Sequence, residues 1–104
     1  MEFEWDEAKN AANIGKHGIA FEDAIHALDG LVVTKPGSRH DYREDRKISI
    51  CLMGSVLIVV VVHTERNGKT RIISARRARR DEREVYQAAL LASAYGTGTG
   101  GAAG

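Results

Sequence analysis

A run of seven apolar residues, from 56 to 62, constrains the fold of this chain more than any other part of its sequence. Six of the seven are valine or isoleucine, whose β-branched side chains favour a strand. A strand without a polar face is typical of the centre of a sheet that is covered on both sides. The run is far too short to cross a membrane as a helix, which takes about 20 apolar residues. The sequence therefore predicts a domain built around one buried central strand.

Patterns of strand and helix flank this central strand. Asp6 is a good N-cap for the first helix, and Gly18 suits the left-handed position that ends it. Gly54-Ser55 and Asn67-Gly68 predict tight turns between neighbouring strands. The predicted elements are strands at 3–5, 31–34, 46–53, 56–62 and 70–75 and helices at 7–17, 21–28 and 79–95. The fold class is therefore α+β, in the order β-α-α-β-β-β-β-α, with helices packed on a small and largely antiparallel sheet.

The folded part is expected to form one domain with a modest core. It comprises residues 1–95, since residues 96–104 are only Gly, Thr and Ala and predict a flexible tail. Cys51 is the only cysteine and lies in an apolar strand, which indicates a buried thiol in a reducing, cytoplasmic compartment. The first helix is expected to pack through a weak apolar stripe of Ala8, Ala11, Ala12 and Ile14.

Charge is distributed unevenly, although the net charge at pH 7 is only +1. Residues 1–30 carry seven acidic and two basic side chains, whereas residues 64–104 carry eight basic and four acidic ones. Five arginines fall within residues 76–83, where a strand is expected to give way to a helix. Arginine binds phosphate oxygens in pairs through its planar guanidinium. The cluster therefore predicts a partner that carries phosphate; the alternative is a solvated helix face balanced by Asp81, Glu82 and Glu84.

Two long motifs lie at opposite ends of the folded part. They are Phe3-x-Trp5-Asp6-x-x-Lys9-x-x-x-Asn13-x-x-Lys16-His17-Gly18-x-x-Phe21-x-x-Ala24 and Arg71-Ile72-Ile73-Ser74-Ala75-Arg76-x-Ala78-x-x-x-Glu82-x-x-x-Tyr86. Together they resemble the BrnT family, toxins of bacterial type II toxin–antitoxin modules, over residues 3 to 87. The chain departs from the family pattern at Ala20 and Arg79, where helix-capping Ser and Thr are common.

This resemblance implies a RelE-like fold and an RNA-cleaving toxin that stops translation in the cytoplasm. It also implies a cognate antitoxin with a ribbon-helix-helix DNA-binding part, which neutralises the toxin. The two proteins together are expected to repress their operon, so that the toxin meets DNA only through that complex. Whether the toxin dimerises within the complex is left open. We expect no membrane association and no metal or cofactor.

RNA cleavage of this kind needs a base, an acid and cationic donors that face the scissile phosphate. Arg76 is the first candidate for the phosphate contact, because a strand end holds it rigidly, and Glu82 is counted with it among the catalytic residues. The alternative is that Arg76 and Glu82 only form an ion pair. Glu44 and Arg46 are two residues apart on an extended chain and therefore share a face. They are expected to act as base and second phosphate contact, or else to form a weak ion pair at a sheet edge.

His17 is the acid–base candidate because imidazole titrates near neutral pH, although a helix C-terminus favours histidine for capping alone. His40 is the substitute, whereas His26, His63 and Tyr86 are expected to be structural. Seven further cations are expected to make sequence-independent contacts with the RNA backbone. They are Lys16, Lys69, Arg71, Arg77, Arg79, Arg80 and Arg83.

Two other functions remain open at this point. One is a catalytically inactive toxin homologue that serves as the partner half of an operon-repressing complex. The other is a plain RNA-binding module. The enzyme requires Arg76, Arg46, Glu44 and a histidine to converge on one point, whereas neither alternative does.

Overall fold

The computed structural model describes residues 2–37 and 45–103 of the chain, and their side chains through residue 94. Within these ranges the elements are β1 (Phe3–Glu4), α1 (Glu7–His17), α2 (Phe21–Ala27), β2 (Val32–Pro36), β3 (Lys47–Met53), β4 (Leu57–Arg66), β5 (Lys69–Arg77) and α3 (Arg80–Ala103). The strands form one sheet in the order β1-β5-β4-β3-β2, and the β1–β5 pair alone is parallel. The predicted α+β class, element order and largely antiparallel sheet are confirmed.

The central strand β4 is buried on both faces, as its apolar sequence predicted. Val59 and Val61 belong to a core with α2 on one face of the sheet. Val60 belongs to a second core on the opposite face, where Tyr86 of α3 packs. Cys51 of β3 is fully buried, and burial raises the pKa of its thiol to about 12. The predicted buried thiol is therefore confirmed.

The β4–β5 hairpin extends beyond the apolar segments that predicted it. The two strands pair out to Arg66 and Lys69, around a tight turn at Asn67 and Gly68 with φ of 55° and 78°. Because the backbones pair up to this turn, both strands include polar residues at their ends. A search for apolar residues does not detect these parts of the strands. β2 likewise continues to Pro36, two residues past its predicted end, because its backbone pairs with β3.

Helix α3 continues to Ala103, past the predicted end at residue 95. Glycine inside a helix costs about 1 kcal/mol relative to alanine, so the composition favoured an earlier end. The flexibility expected of residues 96–104 stays a prediction. No helix in the described ranges is both long and apolar enough to cross a membrane.

Helix α1 packs through two asparagines, and the predicted apolar stripe was wrong. The exposed residues of the helix include Ala8, Ala11, Ala12 and Ile14. Asn10 and Asn13 are instead only 4% and 6% exposed. Asn10 accepts a hydrogen bond from the N–H of Phe21 at 2.9 Å and donates one to Glu22 at 2.8 Å, which joins α1 to α2. Because a hydrogen-bonded amide can be buried at little cost, polarity alone misidentified the buried face.

The first residues of α1 and α2 follow the capping expectations. Asp6 accepts hydrogen bonds from the N–H groups of Ala8 at 2.8 Å and Lys9 at 3.3 Å, which confirms it as an N-cap. Ala20, at the same position of α2, makes no side-chain cap. Helix α2 therefore starts without the hydroxyl cap that a Ser would supply.

Two glycines near the end of α1 give opposite predictions. Gly15 lies inside the helix, whereas Gly18 ends it in the left-handed conformation with φ of 72°; a Cβ at either would meet no atom within 4 Å. Gly15→Ala is expected to stabilise the fold by about 1 kcal/mol, because glycine is a poor helix former. Gly18→Ala is expected to destabilise it by about 1 kcal/mol through left-handed strain. Urea denaturation measures both, and midpoints that move in the same direction would contradict this helix end.

Candidate active site

The junction between β5 and α3 places Arg76 on the sheet face that α3 covers. Arg76 pairs across the sheet with Val60, and directly opposed residues share a face. The strand ends at Arg77, Ala78 then donates its N–H to the carbonyl of Ile58 at 2.9 Å, and α3 begins at Arg80. This short turn brings the first turn of α3 back over the side chain of Arg76.

Arg76 and Glu82 form a two-point ion pair at this junction. The Nη1 and Nη2 groups of Arg76 donate to the Oε1 and Oε2 atoms of Glu82, both at 2.8 Å. Glu82 Oε1 also accepts the N–H of Arg79 at 2.7 Å. This bond is one half of a capping box, because a carboxylate in the first helical turn reaches back to the N–H that precedes the helix. Glu82 therefore fixes both the start of α3 and the orientation of Arg76.

Glu82 is ionised and is poorly suited to accept a proton. Its residue is 5% exposed, and hydrogen bonds from Arg76 and Arg79 lower the pKa of its carboxyl to about 2. The hydrogen bond to Glu82 in turn raises the pKa of Arg76 above its ordinary value. A general base works best with a pKa near the working pH. The geometry therefore gives Glu82 the role of orienting a permanently charged guanidinium.

One edge of the Arg76 guanidinium makes no hydrogen bond within the described part of the chain. Nη1 donates to Glu82 and, at 3.2 Å, to the carbonyl of Arg77, and Nη2 donates once to Glu82. The N–H of Nε and the second N–H of Nη2 make no hydrogen bond with any described residue. These two groups point the same way and match two oxygens of a phosphate. The Arg76 side chain as a whole is 28% exposed.

Arg46 lies at a separate place, in a pocket of about 490 Å³. The pocket is lined by Thr34, Lys35, Pro36, Gly37, Asp45, Arg46 and Lys47. Arg76 pairs with Val60 of β4, whereas Lys47 pairs with His63 further along the same strand. Strand spacing then separates the backbones of Arg46 and Arg76 by roughly 16 Å. The backbones of these two arginines are therefore well separated, and Glu44 and His40 lie outside the described residues.

The last turn of α1 lies towards the C-terminal end of β5. α1 follows β1, which pairs with β5 at Arg71, and Asn13 is bonded to Ala75, so helix and strand run in the same direction. His17 lies one turn beyond Asn13, about 6 Å further along the helix axis. It is half-buried, and it makes no hydrogen bond with Arg76 or Glu82. His17 is therefore at the same end of β5 as Arg76 without a hydrogen bond to it.

Two of the three residues expected to be structural, Tyr86 and His63, are buried and hydrogen-bonded. Tyr86 is 3% exposed and its hydroxyl donates to the carbonyl of Leu31 at 3.1 Å, which confirms packing on the sheet. His63 is buried with Nε2 at 2.7 Å from Ser49 Oγ, and burial lowers the pKa of its imidazole. His26 is exposed on α2.

The seven cations predicted to contact the RNA backbone differ in the ion pairs and hydrogen bonds that they make within the protein. Arg71 is paired with Glu4 at 3.1 Å, and Arg83 donates to the carbonyl of Ala78 at 3.1 Å. Arg79 and Arg80 are exposed and make long ion pairs with acidic residues of α3, at 3.6 and 3.7 Å. The remaining three are Lys16, Lys69 and Arg77, all exposed. Charge is therefore most accessible around the start of α3.

Asn13 is a residue at this site for which the sequence suggested no role. It stands in one of the two motifs, but an isolated asparagine in a helix carries no sign of what it binds. A usable signal was its spacing from Asn10, since residues three apart lie on the same side of a helix. Two amides on one side of α1 indicate a polar buried face.

Comparisons with known proteins agree with this architecture. Residues 5–82 match the family model described as the ribonuclease toxin BrnT of the type II toxin–antitoxin system. The chain is also similar to a 1.1 Å crystal structure of the Brucella abortus ribonuclease toxin BrnT, with a TM-score of 0.59 and 28% identity. That similarity covers 77% of this chain and 99% of the Brucella chain. A search of curated proteins found no match. Since the family model spans well over half of the sequence, the chain belongs to the BrnT family of ribonuclease toxins of type II toxin–antitoxin systems.

Proposed function

We propose that this chain is a metal-independent endoribonuclease that holds the scissile phosphate of RNA with Arg76. The observation that carries the proposal is the two-point Arg76–Glu82 pair, which leaves one edge of the guanidinium without a hydrogen bond to any described residue. A charge held in place before the reaction stabilises a transition state more than a mobile one does. The family's description as a ribonuclease toxin supports the same reaction class.

The reaction is a transesterification within the RNA strand. The 2′-oxygen forms a bond to phosphorus while the bond from phosphorus to the 5′-oxygen breaks. A base takes the 2′-hydroxyl proton, and an acid gives a proton to the leaving 5′-oxygen. The products are a 2′,3′-cyclic phosphate and a 5′-hydroxyl. Arg76 acts on the extra negative charge that the phosphate oxygens carry in the transition state.

Proton transfer is assigned to His17, with Glu44 as the other candidate base. His17 lies at the same end of β5 as Arg76, and imidazole can both accept and donate a proton near neutral pH. Glu82 is assigned to orientation because its pKa of about 2 leaves it without a proton to exchange. Arg46 and the seven further cations bind phosphates elsewhere on the strand, which adds affinity that salt weakens.

The family supports a biological setting for the proposal. A type II module implies a protein antitoxin, and we assign it a ribbon-helix-helix DNA-binding part through which the complex represses its operon. Free toxin then cuts RNA in the cytoplasm and stops translation. The mixed sheet with helices on both faces is consistent with the proposed RelE-like relationship.

Cleavage is expected to persist in excess EDTA and to leave 2′,3′-cyclic phosphate ends. Arginine and the proton-transfer groups supply what a metal ion would supply in a metallonuclease. End analysis of a labelled single-stranded RNA, incubated with the purified chain, measures both properties. RNA whose 2′-oxygens are methylated is the control, because its 2′-oxygen cannot attack. Cleavage of that RNA, or activity that EDTA removes, would contradict the proposed chemistry.

A catalytically inactive partner half of a repressor complex is the second candidate. It is favoured because Glu82 already neutralises the charge of Arg76. It is also favoured because strand spacing puts roughly 16 Å between the backbones of Arg46 and Arg76. Expression of the chain without its antitoxin separates the two. The nuclease predicts growth arrest and RNA fragments. The inactive homologue predicts normal growth, with a soluble protein that still binds its antitoxin.

A further inference from the structure

We propose that Asn13 is a positioning residue for Arg76, an inference that rests on the function proposed above. β1 pairs with β5 only at Thr70 and Arg71. Beyond Arg71, that edge of β5 has no partner strand in the described part of the chain. The side chain of Asn13 takes the place of the absent strand at Ala75, the residue directly before Arg76.

The contact reproduces the pairing of a β-ladder. Asn13 Nδ2 donates to the carbonyl oxygen of Ala75 at 2.8 Å, and the N–H of Ala75 donates to Asn13 Oδ1 at 3.1 Å. Nδ2 also donates to the carbonyl of Ile19 at 2.8 Å. Both N–H donors of the amide are therefore used, in a side chain that is nearly fully buried. No other side chain type of this size offers an acceptor and two donors in this arrangement.

The contact fixes the strand from the side opposite to β4. Successive residues of an antiparallel strand direct their backbone groups to opposite neighbours. Since those of Ala75 face Asn13, those of Arg76 face Val60 of β4. The backbone at Arg76 is therefore held from both sides. Without Asn13, only β4 and the hydrogen bonds of the Arg76 guanidinium to Glu82 and Arg77 would, among the described residues, define where its unbonded edge points.

The same helix supplies a matched control. Asn10 is buried to the same degree as Asn13, and its side chain also makes one hydrogen bond to a backbone N–H. Its hydrogen-bond partners, Phe21 and Glu22, belong to α2, whereas Asn13 bonds directly to the backbone of β5. Asn10→Ala and Asn13→Ala are therefore both expected to lower stability, but only the second should disturb Arg76.

The test compares kcat and KM for RNA cleavage in wild type, Asn13→Ala and Asn10→Ala. It is run at a temperature where circular dichroism shows each protein folded. Asn13→Ala is expected to lower kcat about 10²-fold with little change in KM, as a small misplacement of a catalytic group does. Asn10→Ala is expected to change kcat less than threefold. Hydrogen exchange should quicken at the amide of Ala75 in the first variant and of Phe21 in the second.

A second variant keeps the test decisive if Asn13→Ala does not fold. Asn13→Asp retains the acceptor for the N–H of Ala75, and only its protonated form can donate to the carbonyl. The ratio of its kcat to that of wild type is therefore expected to rise as the pH falls. Equal kcat in the Asn13 and Asn10 variants, or a flat pH ratio, would overturn the positioning role. Absence of cleavage by wild type would instead refute the proposed function itself.

Discussion

Replacement of Arg76 by alanine is expected to lower the rate of RNA cleavage by about 10²- to 10³-fold, the loss typical when one donor to a developing negative charge is removed. Glu82 holds two N–H groups of Arg76 at 2.8 Å, so the open edge is oriented before the substrate arrives. The contact strengthens as charge develops, and kcat should fall while KM changes little. Single-turnover cleavage of an end-labelled RNA measures the effect.

Two further variants test whether the slower cleavage by Arg76→Ala arises only from a lower overall charge or from a destabilised fold. Arg80→Ala removes a nearby charge that is 86% exposed and not bonded to Glu82, and it is expected to weaken RNA binding slightly at unchanged kcat. The double variant Arg76→Ala with Glu82→Gln leaves no buried carboxylate unpaired, and it should fold but remain as slow as Arg76→Ala. Losses of equal size in the Arg76 and Arg80 variants would show that overall charge, and no particular phosphate contact, controls the rate.

Glu82→Gln is expected to destabilise the fold by about 2–3 kcal/mol at neutral pH, somewhat less than the loss of a partner from a fully buried ion pair. The substitution removes a charge that is paired with Arg76 and accepts the N–H of Arg79. Arg76 is 28% exposed, so water compensates part of the loss. Urea denaturation measures the difference. Glu84→Gln is the matched control, because its ion pair with Arg80 is exposed and should contribute less than about 1 kcal/mol.

The contribution of Glu82 should depend on pH in a defined direction. Its pKa is lowered from 4.5 to about 2 in the folded state, so the stabilisation is fully present above about pH 5 and is lost as the pH falls towards 2. The stability difference between wild type and Glu82→Gln should therefore shrink over that interval. A difference that stays constant from pH 6 to pH 3 would mean that the Arg76–Glu82 pair does not contribute as the structure indicates.

Local sequence patterns located the sheet but not the packing of α1. The apolar run of β4 and the turn at Asn67-Gly68 act over a few residues, so neighbouring side chains and backbone preferences specify them. The buried side of α1 depends on Asn13 meeting Ala75, which is 62 residues away. Nothing near Asn13 in the sequence identifies that partner, and alanines were therefore predicted to face the core.

The candidate site was foreseeable only where its residues are close in sequence. Arg76 and Glu82 are six residues apart across one strand–helix junction, and their ion pair was one of two readings of Arg76. The position of Arg46 depends on the register between β3 and β4, which a sequence does not specify directly. The roles of His17, Glu44 and Arg46 in catalysis stay predictions, and Glu44 lies outside the described residues.

NMR of the Arg76 Nε–H group during titration with a 2′-O-methylated RNA tests the central claim most directly, because this RNA binds without being cut. If Arg76 receives the phosphate on its open edge, the Nε–H resonance should shift and its exchange with water should slow, while the hydrogen bonds to Glu82 persist. The same titration of Glu82→Gln should give a weaker change. RNA that binds, and in its unmodified form is cleaved, without any change at Arg76 would contradict the account.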